Sequence, residues 1–534
     1  MIEKLDDLTK HLYGQLFVAF ILGAVQVFAF APFEQWWVIY PTFVGFFLLL
    51  QQLQKTTRRY FLISFIFSLS SLIATLHWIY VSMDLFGGMP KIVSALLIVL
   101  LCAYLALYPT LALWVSSRFL GLSNAQRYLL LIPVLWLISD WLRGYVLTGF
   151  PWAYLGYSHA DTPLVGFAPV LGVQGITLAI MVICGALTLL IQKQNISLSL
   201  TVIITLLISG FILQKQQYTT AQPEISVSLV QGNIDQNDKW KKEQLFPSLQ
   251  KYVALSETGQ DSQPELIIWP ESAIAALEIN VQAFLQPLSA NLAAKNKTLI
   301  TGIIGYNVTT DSYYNSIIAL GKLPKHKLPE QPSTRQPLTK QQGYSLHSQN
   351  RYQKHQLLPI GEFVPFETLL RPLAPYFNLP MSSFQRGAQV QKNLQTDQVS
   401  LAAAICYEIA FPELLRKNIG EETGVILTVS NDAWFGHSIG PAQHLQIARM
   451  RAIEFARPLL RSTNNGVTAI FDASGNEQGR LAVDVAAVLS RQIQPAYGQT
   501  PYQYAGSYPL YLYCLSVLLG LFLYCRYNKQ PTKL

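Results

Sequence analysis

At 534 residues the chain exceeds one ordinary domain core and divides into at least two units. Hydrophobic residues make up 51% and charged residues only 13%, which excludes a wholly water-solvated protein, since soluble domains carry nearer a quarter charged residues. A net charge of +8 fits nucleic acid or an anionic membrane surface, but no basic nucleic-acid-reading motif is present.

A membrane-spanning helix needs about 20 mainly apolar residues. Such runs lie near 12–33, 36–53, 60–81, 92–115, 128–146, 164–191 and 196–214, with an eighth near 508–526. Because six more spans follow at once, the first is read as an uncleaved helix rather than a signal peptide. With the N-terminus in the cytoplasm, Lys4, Lys10, Lys55, Arg58, Arg59, Arg118, Arg127, Lys193, Arg526, Lys529 and Lys533 fall inside. The outward connections hold only Lys91, Arg143 and Lys215, all at helix edges, which is the asymmetry of the positive-inside rule. The expected plan is a seven-span bundle over 1–215, a domain outside the cytoplasm over 224–495, and an eighth span at 508–526. Within the bundle, Asp140 and Arg143 have the spacing of a pair on one helix face. The segment 148–175, rich in Gly, Pro and aromatics, reads as an interfacial loop anchored by Trp152 and Tyr157.

From residue 224 the texture changes to short β-branched runs such as "EISVSLVQGNI", "ELIIWPESAI", "SLAAAICYE" and "GVILTVSND". Helical stretches at 281–295 and 441–457 lie between them. In the second, Leu445, Ala448, Ala452 and Phe455 recur at helical spacing with Arg449, Arg451 and Glu454 interleaved. Strands alternating with helices predict an α/β domain whose sheets are covered by helices, with functional groups at strand ends.

Four of the five cysteines, Cys102, Cys184, Cys514 and Cys525, sit in or beside apolar runs, where cysteine is usually a small hydrophobe. Cys406, after "AAAI", is the exception. One cysteine in the polar part leaves no disulfide framework there, and no cysteine–histidine spacing suggests a zinc site. Two other strand ends are unusual. Glu271 follows "LIIWP", where a proline stops the ladder and makes a rigid exit. Lys354 stands in "RYQKHQLLPIGEFVPFE", with Glu362 eight residues on. A carboxylate, a lysine and a cysteine are the parts needed for acyl transfer through a thioester. The base takes the thiol proton, and the ammonium steadies the charge that develops on the carbonyl oxygen. Singly, each has a plainer reading: a solvated turn glutamate, a surface lysine, a core cysteine.

At these three stretches the chain resembles the nitrilase superfamily, and more narrowly the bacterial apolipoprotein N-acyltransferases. "IIWPES" matches the glutamate motif, "YQKHQLLPIGEFVP" the lysine motif and "ICYE" the nucleophile motif, in the family's order. "VQGNIDQNDKW", "SNDAWFG", "RAIEFARPLLRSTNNGVTAIFD" and, in the membrane half, "TGFPWAYLGYS" and "APVLGVQG" extend the match over nearly the whole chain. The resemblance implies an eight-helix transmembrane bundle carrying a nitrilase-like α-β-β-α sandwich. It implies transfer of a fatty acyl chain from a phospholipid, typically phosphatidylethanolamine, to the amino group of a lipoprotein's diacylglyceryl-cysteine. In that reading Cys406 is the nucleophile, Glu271 the general base, and Lys354 stabilises the tetrahedral intermediate. Glu362 supports the lysine or the base, Tyr407 and Glu408 are required neighbours of the nucleophile, and Trp240 and Trp434 belong to the lipid-facing pocket. The implied setting is the bacterial inner membrane with the sandwich on the periplasmic side, as a monomer, without cofactor, metal or nucleic acid.

Two segments stand apart. Residues 361–384 are unusually apolar for a loop in water, and read either as a membrane-facing lid or as a satellite core. Residues 322–344 are Pro-, Gln- and Lys-rich and longer than the family's usual link; they read as an inert loop, with lipid contact through Lys322, Lys325, Lys327 and Arg335 as the alternative. The rival functions are a membrane-tethered amidase that releases the acyl group to water, and a non-catalytic membrane scaffold.

Overall fold

The computed structural model describes residues 11–53, 57–119, 121–258, 264–324, 344–346, 348–359, 361–363 and 384–527. Seven of its helices are long and apolar enough to cross a membrane. Six of these precede the sandwich: α1 (Leu12–Ala24, continued by a tighter turn to Ala29), α3 (Thr57–Leu76), α4 (Lys91–Ser116), α5 (Ile132–Tyr145, the regular part of the helical run Asn124–Thr148), α6 (Ala168–Ile191, within Pro163–Ile191) and α7 (Ile196–Gln214). The second expected span is a shorter apolar helix, Trp36–Gln51, whose regular part is α2 (Ile39–Gln51). Sixteen residues rise about 24 Å, less than the roughly 30 Å hydrocarbon layer. α2 is interior: Phe43, Phe46 and Phe47 are fully buried, and Phe46 stacks on Phe67 of α3 with centroids 3.8 Å apart. Its apolar character answers to neighbouring helices rather than to lipid. Asp140 and Arg143 do pair, at 2.8 Å, and Arg143 also donates to the Trp152 carbonyl.

The second unit holds two sheets. With β1 (Thr219–Ala221) as the first strand in chain order, one sheet has the order β14 (Ala487–Ile493)-β2 (Ile225–Gln231)-β3 (Leu266–Ile268)-β5 (Thr298–Asn307)-β6 (Ser312–Gly321)-β7 (Arg351–Gln353), with β4 (Ile274–Leu277) beside β5. The other runs β13 (Glu477–Arg480)-β12 (Ala469–Phe471)-β11 (Leu459–Thr463)-β10 (Thr423–Ser430)-β9 (Ser400–Ile405)-β8 (Leu394–Gln395). In the first, β2, β3 and β5 are parallel neighbours, and β6 and β7 extend it antiparallel. In the second, β9, β10 and β11 are parallel. Side chains alternate across a strand, and the packing shows it. Leu401, Ala403 and Ile405 of β9 meet Val227, Leu229, Leu266 and Ile268 between the sheets, while Ala402 and Ala404 face outward. Helices α8 (Lys242–Thr258) and α9 (Gln282–Ala294) cover the outside of the first sheet through Leu249, Tyr252 and Leu285. Helix α10 (Pro412–Asn418) follows the β9 turn, and α11 (Gly440–Phe455) covers the outside of the second sheet. The result is an α-β-β-α sandwich. A short two-stranded pairing of Thr219–Ala221 with Ala496–Gly498 closes its base, and α12 (Tyr508–Tyr527) follows as the seventh long apolar helix.

α11 belongs to two cores at once. Leu445, Ala448, Ala452 and Phe455 share one apolar cluster with the outer face of the second sheet and with α2, α3 and α6. The interleaved polar face that looks solvated in sequence is instead the joint to the membrane unit. Arg451 and Glu454 are fully buried and paired at 3.1 Å, and Glu454 accepts the Val173 N–H at 2.7 Å. Gln443 Oε1 accepts from the indoles of Trp78 (3.1 Å) and Trp152 (2.9 Å), and its amide donates to the Thr75 carbonyl. Trp152 and Tyr157 are therefore not interfacial anchors, each being 1% exposed. Trp152 is packed against Tyr407, Phe435 and His444 beneath the sandwich, because the sandwich sits on the membrane unit at that loop.

Of the apolar segment 361–384, Phe363 lies under the Arg386 guanidinium at 4.9 Å, and Phe384 bridges to Tyr313. Phe366, Leu369, Leu370, Tyr376, Phe377, Leu379 and Met381 lie outside the described residues, as do Lys325, Lys327 and Arg335. Lys322 pairs with Asp397 at 2.7 Å.

Candidate active site

β3 ends at Ile268, and the chain leaves the sheet through Trp269 and Pro270. Trp269 N–H still donates to the Ile300 carbonyl, but Pro270 has no N–H to continue the ladder. The Pro270 carbonyl instead accepts from Gly302 and Ala273, each at 3.2 Å, which turns Glu271 out at the sheet edge. Gly302 permits this approach, since a Cβ there would lie 2.8 Å from the Glu271 Cα and 2.4 Å from the Ser272 nitrogen. Glu271 Oε1 accepts from Asn315 Nδ2 (2.8 Å), and Oε2 accepts from the Asn431 main-chain N–H (2.9 Å).

Lys354 follows β7, and its N–H donates to the Asn315 carbonyl at 2.8 Å. Its ammonium, only 2% exposed, lies 2.8 Å from Glu362 Oε1 and 3.6 Å from Glu271 Oε1. Burial alone pulls this lysine's pKa down, but Glu362, Glu271 and Cys406 outweigh it and the net shift is upward. The ammonium keeps its proton. Asn315 Nδ2 donates to both carboxylates, at 2.8 Å to Glu271 and 3.0 Å to Glu362. Glu362 Oε2 accepts the Leu358 N–H, which fixes the carboxylate against its own loop.

Cys406 follows the last residue of β9 and opens a tight turn, Cys406–Ala410, with φ of +53°. A non-glycine residue held there stores about 1–3 kcal/mol and is kept only by its surroundings. One such restraint is His444, whose Nε2 lies 3.1 Å from the Cys406 carbonyl oxygen. A carbonyl oxygen only accepts, so Nε2–H donates to Cys406, while Nδ1 lies 3.1 Å from Arg461 Nη2 and 3.3 Å from Asp432 Oδ1. Burial and then Arg461 push the His444 pKa down, consistent with a neutral ring. Arg461 also pairs with Asp432 at 2.7 Å, and Ser430 donates to that carboxylate at 2.6 Å. Burial pushes the Cys406 thiol up to about 12, Glu271 adds to the rise, and Lys354 opposes it. The resting sulfur is a thiol beside a carboxylate, so a proton acceptor is at hand when the sulfur attacks.

The remaining residues singled out in sequence sort by position. Glu408 accepts from the main-chain N–H groups of His355 (2.7 Å), Gln356 (2.9 Å) and Ile405 (2.8 Å), and from Tyr352 Oη (3.1 Å). It fastens the lysine segment to the cysteine turn. Burial pushes its pKa up to about 7 against those main-chain bonds. Tyr407 donates to the Gly149 carbonyl of the membrane unit at 3.1 Å. Trp434 packs edge-on to Phe86, and its carbonyl accepts from Ser82, so it also meets the membrane unit. Trp240 is 37% exposed, beside Lys239 in sequence. Five further residues, not singled out in the sequence, bear on the site: Asn315, Asp432, His444, Arg461 and Lys239, whose Nζ donates to the Glu271 carbonyl at 3.1 Å. For Asn315 a signal existed, because "YYNSIIALG" puts an amide just before an apolar run in a strand. Among the described residues no group of three His, Cys, Asp or Glu side chains is arranged to hold a metal ion.

A Glu–Lys–Cys cluster at the strand ends of such a sandwich, fixed on a bundle of apolar helices, defines a membrane-anchored protein of the carbon-nitrogen hydrolase type. The carbon-nitrogen hydrolase model matches residues 226–502, and the model of the apolipoprotein N-acyltransferase N-terminal domain matches residues 22–186. The apolipoprotein N-acyltransferase of Vibrio parahaemolyticus is 43% identical over 524 residues, covering 97% of this chain and 99% of that protein. Its counterpart in Vibrio cholerae is 43% identical over 509 residues, covering 95% and 96%. Among solved structures, Saccharomyces cerevisiae Nit3 is similar with a TM-score of 0.36 and 16% identity, over 54% of this chain and 96% of that one. The chain belongs to the apolipoprotein N-acyltransferase family.

Proposed function

We propose that the protein transfers a fatty acyl chain from a phospholipid, phosphatidylethanolamine in the first instance, to the α-amino group of the diacylglyceryl-cysteine at a lipoprotein's N-terminus. The observation that carries this reading is the position of Cys406. It stands in a strained turn among Glu271, Lys354 and Ser430, on a unit joined to apolar helices through Tyr407 itself.

In the first half-reaction Cys406 Sγ attacks the ester carbonyl while Glu271 takes the thiol proton. The oxyanion develops beside the Lys354 ammonium, which is already protonated and fixed by Glu362. The C–O bond then breaks, Glu271 returns its proton to the glycerol oxygen, and lysophospholipid leaves a thioester on Cys406. In the second half, the acceptor amine attacks the thioester, the C–S bond breaks, and the proton from nitrogen returns through Glu271 to sulfur. No acyl group is lost to water if the donor and acceptor both enter from the lipid side. The reading places the sandwich on the periplasmic side of the bacterial inner membrane, in keeping with the charge asymmetry of the helix connections. It assigns 1–215 and 508–526 to the membrane and 224–495 to the acyl-transfer unit, acting as a monomer.

The test is an acyl-enzyme trap. Full-length protein in detergent receives phosphatidylethanolamine with a labelled acyl chain and no acceptor, beside Cys406→Ala. Label retained by the wild type, released by neutral hydroxylamine and absent from the variant is the expected result. Absence of label from a folded wild type, with turnover of simple amides instead, would replace the acyltransferase with the amidase.

A further inference from the structure

The two lysines at the site are not equivalent. Lys354 is matched by two carboxylates within 4 Å. Lys239, 4% exposed, donates to a single described acceptor, the main-chain carbonyl of Glu271, and no described carboxylate lies within ion-pair distance of it. A buried ammonium has three donors and is expensive to desolvate unless they are used. Buried cations elsewhere in the fold vary in this respect: Arg451 Nη1 and Arg461 Nη1 have no hydrogen-bond partner among the described residues. The fully buried Arg457 donates to the carbonyls of Thr423, Phe455 and Gly498 and to Gln503. Burial lowers the Lys239 pKa to about 8, and Glu271 and Cys406 oppose that fall. The two cations therefore bracket Glu271, one at its carboxylate and one at its main-chain carbonyl.

The proposed donor has two sites of negative charge, one developing at the ester carbonyl and one permanent on the phosphodiester at the far side of glycerol. Lys354 serves the first. We propose that Lys239 is a phosphate subsite, its two unused N–H donors taking the phosphodiester oxygens of the acyl donor while Cys406 attacks the ester. This rests on the acyltransferase reading and adds to it a basis for selecting phospholipids over other esters. Lys239 is a binding residue in this scheme, and no bond to it forms or breaks. Its neighbour Trp240 is exposed at the same turn.

The test compares two acyl donors on full-length enzyme in detergent without acceptor: phosphatidylethanolamine, and p-nitrophenyl palmitate, which has no phosphate. The rate constant for thioester formation at Cys406 is read by intact mass for wild type, Lys239→Met and Lys239→Arg. A hydrogen-bonded charge pair implies that Lys239→Met loses roughly 10- to 100-fold more rate on the phospholipid than on the nitrophenyl ester, chiefly through KM. Lys239→Arg, which keeps the charge, retains most of the wild-type selectivity between donors. Equal losses on both donors in Lys239→Met, or, if that variant does not fold, equal losses on both donors in Lys239→Arg, would assign Lys239 to supporting Glu271 and overturn the subsite. No loss on the phospholipid overturns it as well. A wild type acylated by the nitrophenyl ester but not by the phospholipid would instead sink the donor class, and the subsite with it.

Discussion

Lys354 Nζ makes its short ion pair with Glu362, at 2.8 Å, and stands 3.6 Å from Glu271. The geometry leaves Glu271 near a positive charge without a direct bond to it, so the carboxylate remains free to accept a proton. Replacing Glu362 by Gln removes the nearer partner, and Lys354 then closes on Glu271. Thioester formation from labelled phosphatidylethanolamine should fall roughly 10- to 100-fold, the effect of moving about 1.5–3 kcal/mol of charged hydrogen bonding. Thermal stability in detergent should change much less. A rate equal to wild type would show that Glu362 plays no part in tuning the pair.

Gly302 touches none of the reacting groups, yet a Cβ there meets the Glu271 main chain at 2.8 Å. Gly302→Ala should therefore push the β3 exit turn outward and displace the carboxylate. Misplacement of a base by about 1 Å costs on the order of 100-fold in rate. The expected outcome is a folded protein, normal by circular dichroism, that labels Cys406 at least tenfold more slowly than wild type. Unchanged labelling would mean that the turn absorbs the methyl elsewhere.

The Arg461–Asp432 pair has both side chains fully buried at 2.7 Å. Breaking one partner of such a pair costs about 3–5 kcal/mol, so Asp432→Asn should lower the melting temperature markedly and loosen the His444 hold on Cys406. The pH dependence has a definite sign. Burial raises the Asp432 pKa, but Arg461 and His444 outweigh it, and the net shift is below the ordinary 3.8. The pair's contribution is thus fully present above about pH 4 and fades only as pH falls through the lowered value. The melting-temperature difference between wild type and Asp432→Asn should be flat from pH 5 to 8. A difference that shrank within that window would point to a different titrating group.

Cys406 combines partial exposure with a thiol raised to about 12. Its thiolate fraction near pH 8 is about four orders of magnitude below unity. Iodoacetamide should modify it slowly at pH 7.5, with a rate rising about tenfold per pH unit and no inflection up to pH 9.5, against Cys406→Ala as blank. An inflection near pH 8.5 would mean an ordinary free thiol. Glu271→Gln separates the two chemistries: acylation by phospholipid should fall by roughly 100- to 10,000-fold, the range of a lost general base.

How much of this was legible in one dimension follows from how local each signal is. Glu271, Lys354 and Cys406 are each marked by a short stretch that ends a strand, two on the first sheet and Cys406 on the second. The spans were legible because about 20 apolar residues have few other uses. The run at α2 is the shorter apolar helix among them, and an interior helix and a lipid-facing one share the same composition. Trp152 and Tyr157 carried no mark to distinguish an interfacial anchor from a side chain covered by a distant domain. The same holds for Arg451 and Glu454, which resemble a solvated helix face until α6 and the sandwich close over them.

The sequence by itself therefore determined the apolar helices and the strand–helix alternation, because each rests on hydrophobic period, while Glu271, Lys354 and Cys406 were singled out by the motifs around them and the family those motifs resemble. Tertiary structure alone decided that Asn315 holds two carboxylates, that His444 restrains the Cys406 carbonyl, and that Lys239 is buried beside them. The physical reason is that a polar group's charge and proton depend on water and partners brought from elsewhere in the chain. Lys239 in "NDKWKK" looks like its exposed neighbours, and only the loop's descent onto Glu271 removes it from water.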